Sequence, residues 1–248
     1  MPSTLPNSLR TGFRHPGDDP RQRLIVALDV STAAAAQKIV AAVGDSALTY
    51  KVGMQLYTAV GPQVVRDLVA SGRRVFLDLK YHDIPNTVGA AVAEAAKLGV
   101  SMLTVHACGS GRMLSAAVDA AQNRPGLMVL AVTVLTSLDA SDLEKVGIRG
   151  TVEDTVVRLA TIALANGCHG VVTSARESST LRAELGDDFA IVTPGVRPAG
   201  TSLGDQVRVV TPAEAIAAGA SHIVVGRPIT EAADPAAEAR AILGQISS

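Results

Sequence analysis

Arg74-Val75-Phe76-Leu77-Asp78-Leu79-Lys80-Tyr81-His82-Asp83 is the stretch on which the fold turns. Its first half is apolar and strand-like, and its carboxyl end carries charge. Side chains on a strand alternate in direction, so Asp78 and Lys80, two apart, are predicted to share one face. Burying such charges is costly unless they are paired or functional. The pair therefore marks either a structural ion pair or a site at a strand end.

Seven further runs resemble this one. They are Leu24–Val30, Thr49–Gly53, Met102–Ala107, Leu127–Leu135, Gly170–Ala175, Ala190–Val196 and His222–Gly226, and alanine-rich helical stretches separate them. Most are continuously apolar, the pattern of parallel strands covered on both faces. Eight β-α units in 248 residues fit an α/β single-domain (β/α)8 TIM barrel. A doubly wound open sheet is the alternative, weakened because no glycine-rich dinucleotide fingerprint follows the first strand. Helix boundaries are readable as well. Ser31 is predicted to cap a helix through Val43 that Gly44 ends, and Pro62 to open one that Gly72 closes. Thr151 with Asp154, and Thr211 with Glu214, have capping-box spacing, and Asp234-Pro235 opens the last helix.

Composition narrows the function classes. The net charge is −1, with no long block of one sign, and the chain has three Phe, three Tyr and no Trp. Neither a basic nucleic-acid face nor a stacking platform is expected, so no nucleic-acid partner is predicted. The apolar runs are short, so no membrane span is predicted. Cys108 and Cys168 lie far apart and form neither a metal motif nor a disulfide scaffold. Residues 1–20 read as a flexible polar extension without an apolar signal core, and residues 21–248 as the barrel catalytic domain. A cytoplasmic location is the default expectation.

In such a barrel, catalytic groups gather at the carboxyl ends of strands. Those ends carry Asp29, Lys51, Asp78 and Lys80, then Asp83 in the following loop, His106, Thr136-Ser137, Arg197 and Gly226-Arg227. Each has a plain alternative. Asp29 reads equally as a helix cap, Lys51 as a snorkelling lysine, and Arg227 as the partner of a nearby acid. His106 reads as a core or rim histidine and is set aside. The last two ends point to phosphate: Gly226 permits close backbone approach, and Arg227 offers a planar charged fork. The Gly- and Pro-containing loop Gly195–Gln206 can serve as a lid.

These segments resemble the orotidine 5′-phosphate decarboxylase family. The resemblance runs from Leu24 to about Thr230 through Leu28-Asp29, Tyr50-Lys51-Val52-Gly53, Asp78–Thr87, Thr193–Arg197 and Val225–Ile229. The Asp-x-Lys-x-x-Asp core is shared with a wider superfamily, and Ile84-Pro85-Asn86-Thr87 is far more specific. The resemblance implies decarboxylation of orotidine 5′-monophosphate to uridine 5′-monophosphate in de novo pyrimidine synthesis. Lys80 would be the proton donor, with Asp78 and Lys51 in an alternating charge array. Asp83 would join that array from the partner subunit of a homodimer, with Thr87 near the ribose. Asp29 and Lys51 would contact ribose hydroxyls, and Thr136 and Ser137 would line the ligand site. Gln206, Gly226 and Arg227 would bind phosphate beside Arg197. Tyr81 is bulkier than the family's usual Leu or Phe, but its side chain should point away from Lys80.

The chain has no metal-ligand spacing and no cofactor motif, so no metal and no cofactor are expected. Two other readings stand beside this one. One is a magnesium-dependent decarboxylase of the keto-gulonate phosphate type, which shares Asp-x-Lys-x-x-Asp. The other is a non-catalytic nucleotide sensor on a barrel scaffold.

Overall fold

A computed structural model of the chain describes Thr11, Phe13, residues 15–198 and residues 210–247. Eight strands run in order: β1 Leu24–Ala27, β2 Thr49–Gly53, β3 Arg74–Tyr81, β4 Met102–His106, β5 Met128–Val132, β6 Gly170–Val172, β7 Ala190–Thr193 and β8 His222–Val225. Each pairs in parallel with the next, and β8 closes on β1. This is the (β/α)8 barrel that the apolar runs predict.

Alternation along the strands explains why those runs are continuous. On β1, Leu24 and Val26 face the helices while Ile25 and Ala27 face the barrel interior; on β3, Val75 and Leu77 face out and Phe76 faces in. Outward residues join a large cluster between strands and helices. Inward ones form a smaller plug of Ile25, Ala27, Phe76, Met102, Leu130, Ala190, Val192 and Val224. With both faces packed, most positions on each are apolar, and the few polar ones, such as Thr49, Thr104 and Thr193, are buried. Each fully buried Leu- or Phe-sized side chain contributes about 1.5–3 kcal/mol.

Several strands end sooner than the apolar runs suggest. β1 stops at Ala27 rather than Val30, β5 at Val132 rather than Leu135, and β7 at Thr193 rather than Val196. The chain leaves the ladder there to build the mouth. The Leu28 N–H still donates to the Lys51 carbonyl at 3.0 Å, and Gly195 turns the chain with φ 75°. β3, expected from the sequence over Arg74–Lys80, alone runs past its predicted end, to Tyr81.

The helix starts follow local chemistry, with one correction. Thr32, not Ser31, caps helix Ala33–Val43, and its hydroxyl accepts from the Ala35 N–H at 3.2 Å. Ser31 Oγ instead accepts from Gln55 Nε2 at 2.8 Å. Both predicted capping boxes form, and a third joins Asp139 to Asp142. Asp234 caps helix Pro235–Ile246.

The described part of the N-terminal extension meets the barrel at the amino ends of the strands. Phe13 packs on the interior plug, its ring edge-on to His222 with centroids 6.5 Å apart, and Thr11 Oγ1 donates to the Asp188 carbonyl. Both cysteines are free; Cys108 is exposed and Cys168 buried. Among the described residues no helix is long and apolar enough to cross a membrane.

Candidate active site

The carboxyl ends of the strands surround a cavity of about 620 Å3. That volume suits a small-molecule ligand. Its floor is the top of the interior plug, with Ala27, Phe76, Val172 and Val224. Polar groups ring this apolar base, and every strand end except that of β4 contributes to the lining.

Across one side runs a line of alternating charge. Lys51 Nζ lies 2.8 Å from Asp29 Oδ1 and 3.9 Å from Asp78 Oδ2, and Lys80 Nζ lies 2.9 Å from Asp78 Oδ1. The side chains of Lys51, Asp78 and Lys80 are 13%, 13% and 22% exposed, whereas that of Asp29 is 56% exposed. The inner three groups are thus largely withdrawn from solvent, where each charge depends on its neighbours. The pairing also settles the reading of Asp29: it holds Lys51 and does not cap the next helix.

The local backbone explains how Asp78 and Lys80 meet. Simple alternation would place them on one face, but β3 is bulged at this point. Between the Leu77–Leu103 and Tyr81–Val105 pairings, Asp78, Leu79 and Lys80 face only Thr104 on β4. Lys80 adopts φ 53°, the left-handed region. For a residue other than glycine that costs about 1–2 kcal/mol. The Thr104 hydroxyl accepts from the Lys80 N–H at 2.9 Å and donates to Asp78 Oδ1 at 3.0 Å. Tyr81 lies beyond the bulge and packs in the outer cluster, away from Lys80 as expected, where burial pushes its phenol up to about 12.

Around the rest of the mouth stand Thr136, Thr173, the segment Pro194–Arg197 and, beside Asp29 because β8 closes on β1, the segment Gly226–Pro228. Arg197 is buried and Arg227 is exposed. Val196 and Val210 form a parallel bridge, and the Arg197 N–H donates to the Val210 carbonyl at 3.0 Å. The described ends of the β7–β8 loop are therefore tied together at the rim. A Cβ at Gly226 would stand in ordinary van der Waals contact with Ala27 Cβ at 3.5 Å and would clash with nothing.

Asp29, Lys51, Asp78, Lys80, Thr136, Arg197, Gly226 and Arg227 all line the one cavity. Asp83, Thr87 and Ser137 are exposed and lie outside this chain's own lining. The Asp83 carboxylate accepts from the Ile84 N–H at 2.6 Å. Gln206 and most of the predicted lid lie outside the described residues. His106 also stays out of the lining. Burial, with the nearby His82 and Lys80 charges, holds its imidazole below the ordinary range, and its ring stands 5.5 Å from that of His82. Sequence reasoning missed Thr104, Gln55 and Thr173. Thr104 alone left a usable signal, since alternation from the inward Met102 points it inward too.

The sequence profile of the orotidine 5′-phosphate decarboxylase / HUMPS family matches residues 22–242. The chain belongs to this family. Orotidine 5′-phosphate decarboxylase of Afipia carboxidovorans is 52% identical over 229 residues, covering 92% of this chain and 96% of the relative. The enzyme of the same name from Halorhodospira halophila is 52% identical over 227 residues, covering 91% and 96%. The crystal structure of orotidine 5′-phosphate decarboxylase from Lactobacillus acidophilus superposes with a TM-score of 0.82 at 40% identity, covering 91% of this chain and 99% of that one. The profile description spans two groups, and each relative named here carries the decarboxylase name. Among the described residues no three or more His, Cys, Asp or Glu side chains are grouped to hold a metal ion.

Proposed function

We propose that this chain converts orotidine 5′-monophosphate to uridine 5′-monophosphate and carbon dioxide in pyrimidine biosynthesis. The observation that carries the reading is the Asp29–Lys51–Asp78–Lys80 line, set over a cavity that Gly226 and Arg227 also line. Phosphate binds at Gly226 and Arg227, with Gln206 and Arg197 beside them, and Asp29 and Lys51 take the ribose hydroxyls. Thr136 and Ser137 flank the pyrimidine.

The chemistry follows from charge. The bond between C6 and the carboxylate carbon breaks, carbon dioxide leaves, and the electron pair stays on C6. The pyrimidine ring offers it no low-energy sink. A fixed ammonium at C6 stabilises that pair and then gives it a proton, leaving a C6–H bond and a neutral Lys80 amine that solvent reprotonates. Preorganised charge in a water-poor site is commonly the largest catalytic contribution. Asp78 holds Lys80 in place, and Lys51 supports Asp78 from the other side. In this reading Lys80 and its neighbours perform the reaction without metal or cofactor.

The active unit of the proposal is a homodimer in the cytoplasm. Asp83 of the partner subunit completes the charge line, with Thr87 at the ribose. One observation supports this: Asp83 does not enter its own chain's cavity. Free Cys108 and Cys168 fit a reducing compartment.

The test follows the fall in ultraviolet absorbance of orotidine 5′-monophosphate in excess EDTA, with Lys80→Ala alongside. Rapid turnover that EDTA leaves intact, and that Lys80→Ala nearly abolishes in a folded protein, is the expected result. Activity on a sugar phosphate that depends on magnesium would move the chain to the keto-gulonate type. Nucleotide binding without turnover would make it a sensor.

A further inference from the structure

We propose that Thr104 is a positioning residue for the decarboxylation, fixing both the backbone and the counter-ion of Lys80 through one hydroxyl. The proposal rests on Lys80 as the proton donor. Three residues of β3 face Thr104 alone, so the bulge leaves the Lys80 N–H without a ladder partner from β4. Thr104 Oγ1 takes that N–H at 2.9 Å and passes its own proton to Asp78 Oδ1 at 3.0 Å. The same carboxylate oxygen accepts from Lys80 Nζ at 2.9 Å. A closed ring results: Lys80 backbone, Thr104 hydroxyl, Asp78 carboxylate, Lys80 ammonium.

A hydroxyl suits this place because it accepts and donates at once. The β-branched Thr side chain also holds χ1 firmly, which keeps the oxygen in the ring. Thr104 is fully buried and does not line the cavity, so it acts through Lys80 and Asp78 rather than on substrate. The strands do not depend on it. Of the two pairs flanking the bulge, Leu77, Leu103 and Val105 are fully buried in the outer cluster and Tyr81 packs against it, and together they hold β3 against β4. The hydroxyl instead sets where the Lys80 chain departs from its left-handed backbone, and so where its ammonium ends.

The test compares Thr104→Val, which keeps the shape and removes the hydroxyl, with Thr104→Ser, which keeps the hydroxyl. Misplacing a reacting group by about 1 Å costs roughly 100-fold. We expect Thr104→Val to lower kcat roughly 10- to 100-fold, with KM and the Kd for uridine 5′-monophosphate changed by less than about threefold. Thr104→Ser should return kcat to within about threefold of the unsubstituted protein. A second readout is exchange of the C6 hydrogen of bound uridine 5′-monophosphate with solvent deuterium, followed by NMR. It uses the same proton path without any carboxylate, and should fall in Thr104→Val in parallel with kcat.

Unchanged kcat and exchange in Thr104→Val would overturn the proposal. So would a rise in KM and Kd at constant kcat, failure of Thr104→Ser to restore kcat, or collapse of the Thr104→Val fold seen as a lost thermal transition. Failure of the unsubstituted protein to decarboxylate its substrate would remove the functional reading itself, and this proposal with it.

Discussion

His222 opens β8 at the floor of the barrel, fully enclosed, and it should make stability fall as the solution is acidified. Burial comes first among the causes; the Arg74 and Arg23 charges and His15 add to it, and together they push the imidazole down to about 3. Phe13 covers the ring, and Nδ1 lies 3.1 Å from Ser221 Oγ. Ser221 is already engaged at both ends of Ile191, accepting from its N–H and donating to its carbonyl, each at 2.9 Å. Among the described residues no carboxylate is one of the groups acting on the ring, so a proton gained there has no counter-charge from them.

The sign follows from linkage. The unfolded chain protonates this histidine near pH 6.5 and the folded one only near 3, so between those values the unfolded state binds more protons. The contribution is fully present above pH 6.5 and is lost as pH falls toward 3. For one such site the loss between pH 7 and pH 5 is about 2 kcal/mol. Urea unfolding at both pH values, for the unsubstituted protein and His222→Asn, isolates it. The variant is less stable at neutral pH, but its pH dependence should be shallower by about 2 kcal/mol over that interval. Equal pH dependence in the two proteins would refute the argument, because every other titrating group is common to both.

Two further outcomes follow. Arg227→Ala should lower kcat/KM for orotidine 5′-monophosphate by about 2–3 kcal/mol, roughly 30- to 150-fold, while leaving turnover of phosphate-free orotidine unaltered; equal losses on both substrates would remove Arg227 from the phosphate site. Thr32→Ala should cost about 1 kcal/mol in urea unfolding and Ser31→Ala less than about 0.5, and the reverse order would return the cap to Ser31.

Much of the barrel was legible because strands packed on both faces leave continuous apolar runs, as at Leu24–Ala27 and Ala190–Thr193. Their carboxyl ends were not, since an apolar residue such as Val134 looks the same inside the ladder as beside the cavity. Ser31 and Thr32 are equivalent cap residues by type. The choice fell to backbone angles and to Gln55, which lies 24 residues from Ser31. The charged side chains of the site were readable one strand end at a time. Thr104 was readable only as an inward-facing residue of β4; its importance comes from a register shift between two strands, and no single segment encodes that. Phe13 was equally silent, one aromatic in a polar stretch without periodicity. Asp83 and Thr87 belong to a different case: one chain does not bring them to its cavity, so only a dimer can test their proposed roles.

The order of charges bears on why Lys80 is the group that reacts. Asp29, Lys51, Asp78 and Lys80 sum to zero, the inner three largely shielded from water over the apolar floor of Phe76 and Val224 and the exposed Asp29 balancing them from the outer end. Within one chain Lys51 has a carboxylate on each side, and Lys80 has Asp78 on one side, the other side being the place proposed for Asp83 of the partner subunit. In the proposed reaction the substrate carboxylate enters beside this terminus and adds a negative charge next to Asp78. Loss of carbon dioxide moves the charge onto C6, and proton transfer from Lys80 cancels it. In this reading Lys51, held by Asp29 at 2.8 Å, serves the ribose hydroxyls, and place beside C6, more than the presence of a lysine, distinguishes Lys80 from it.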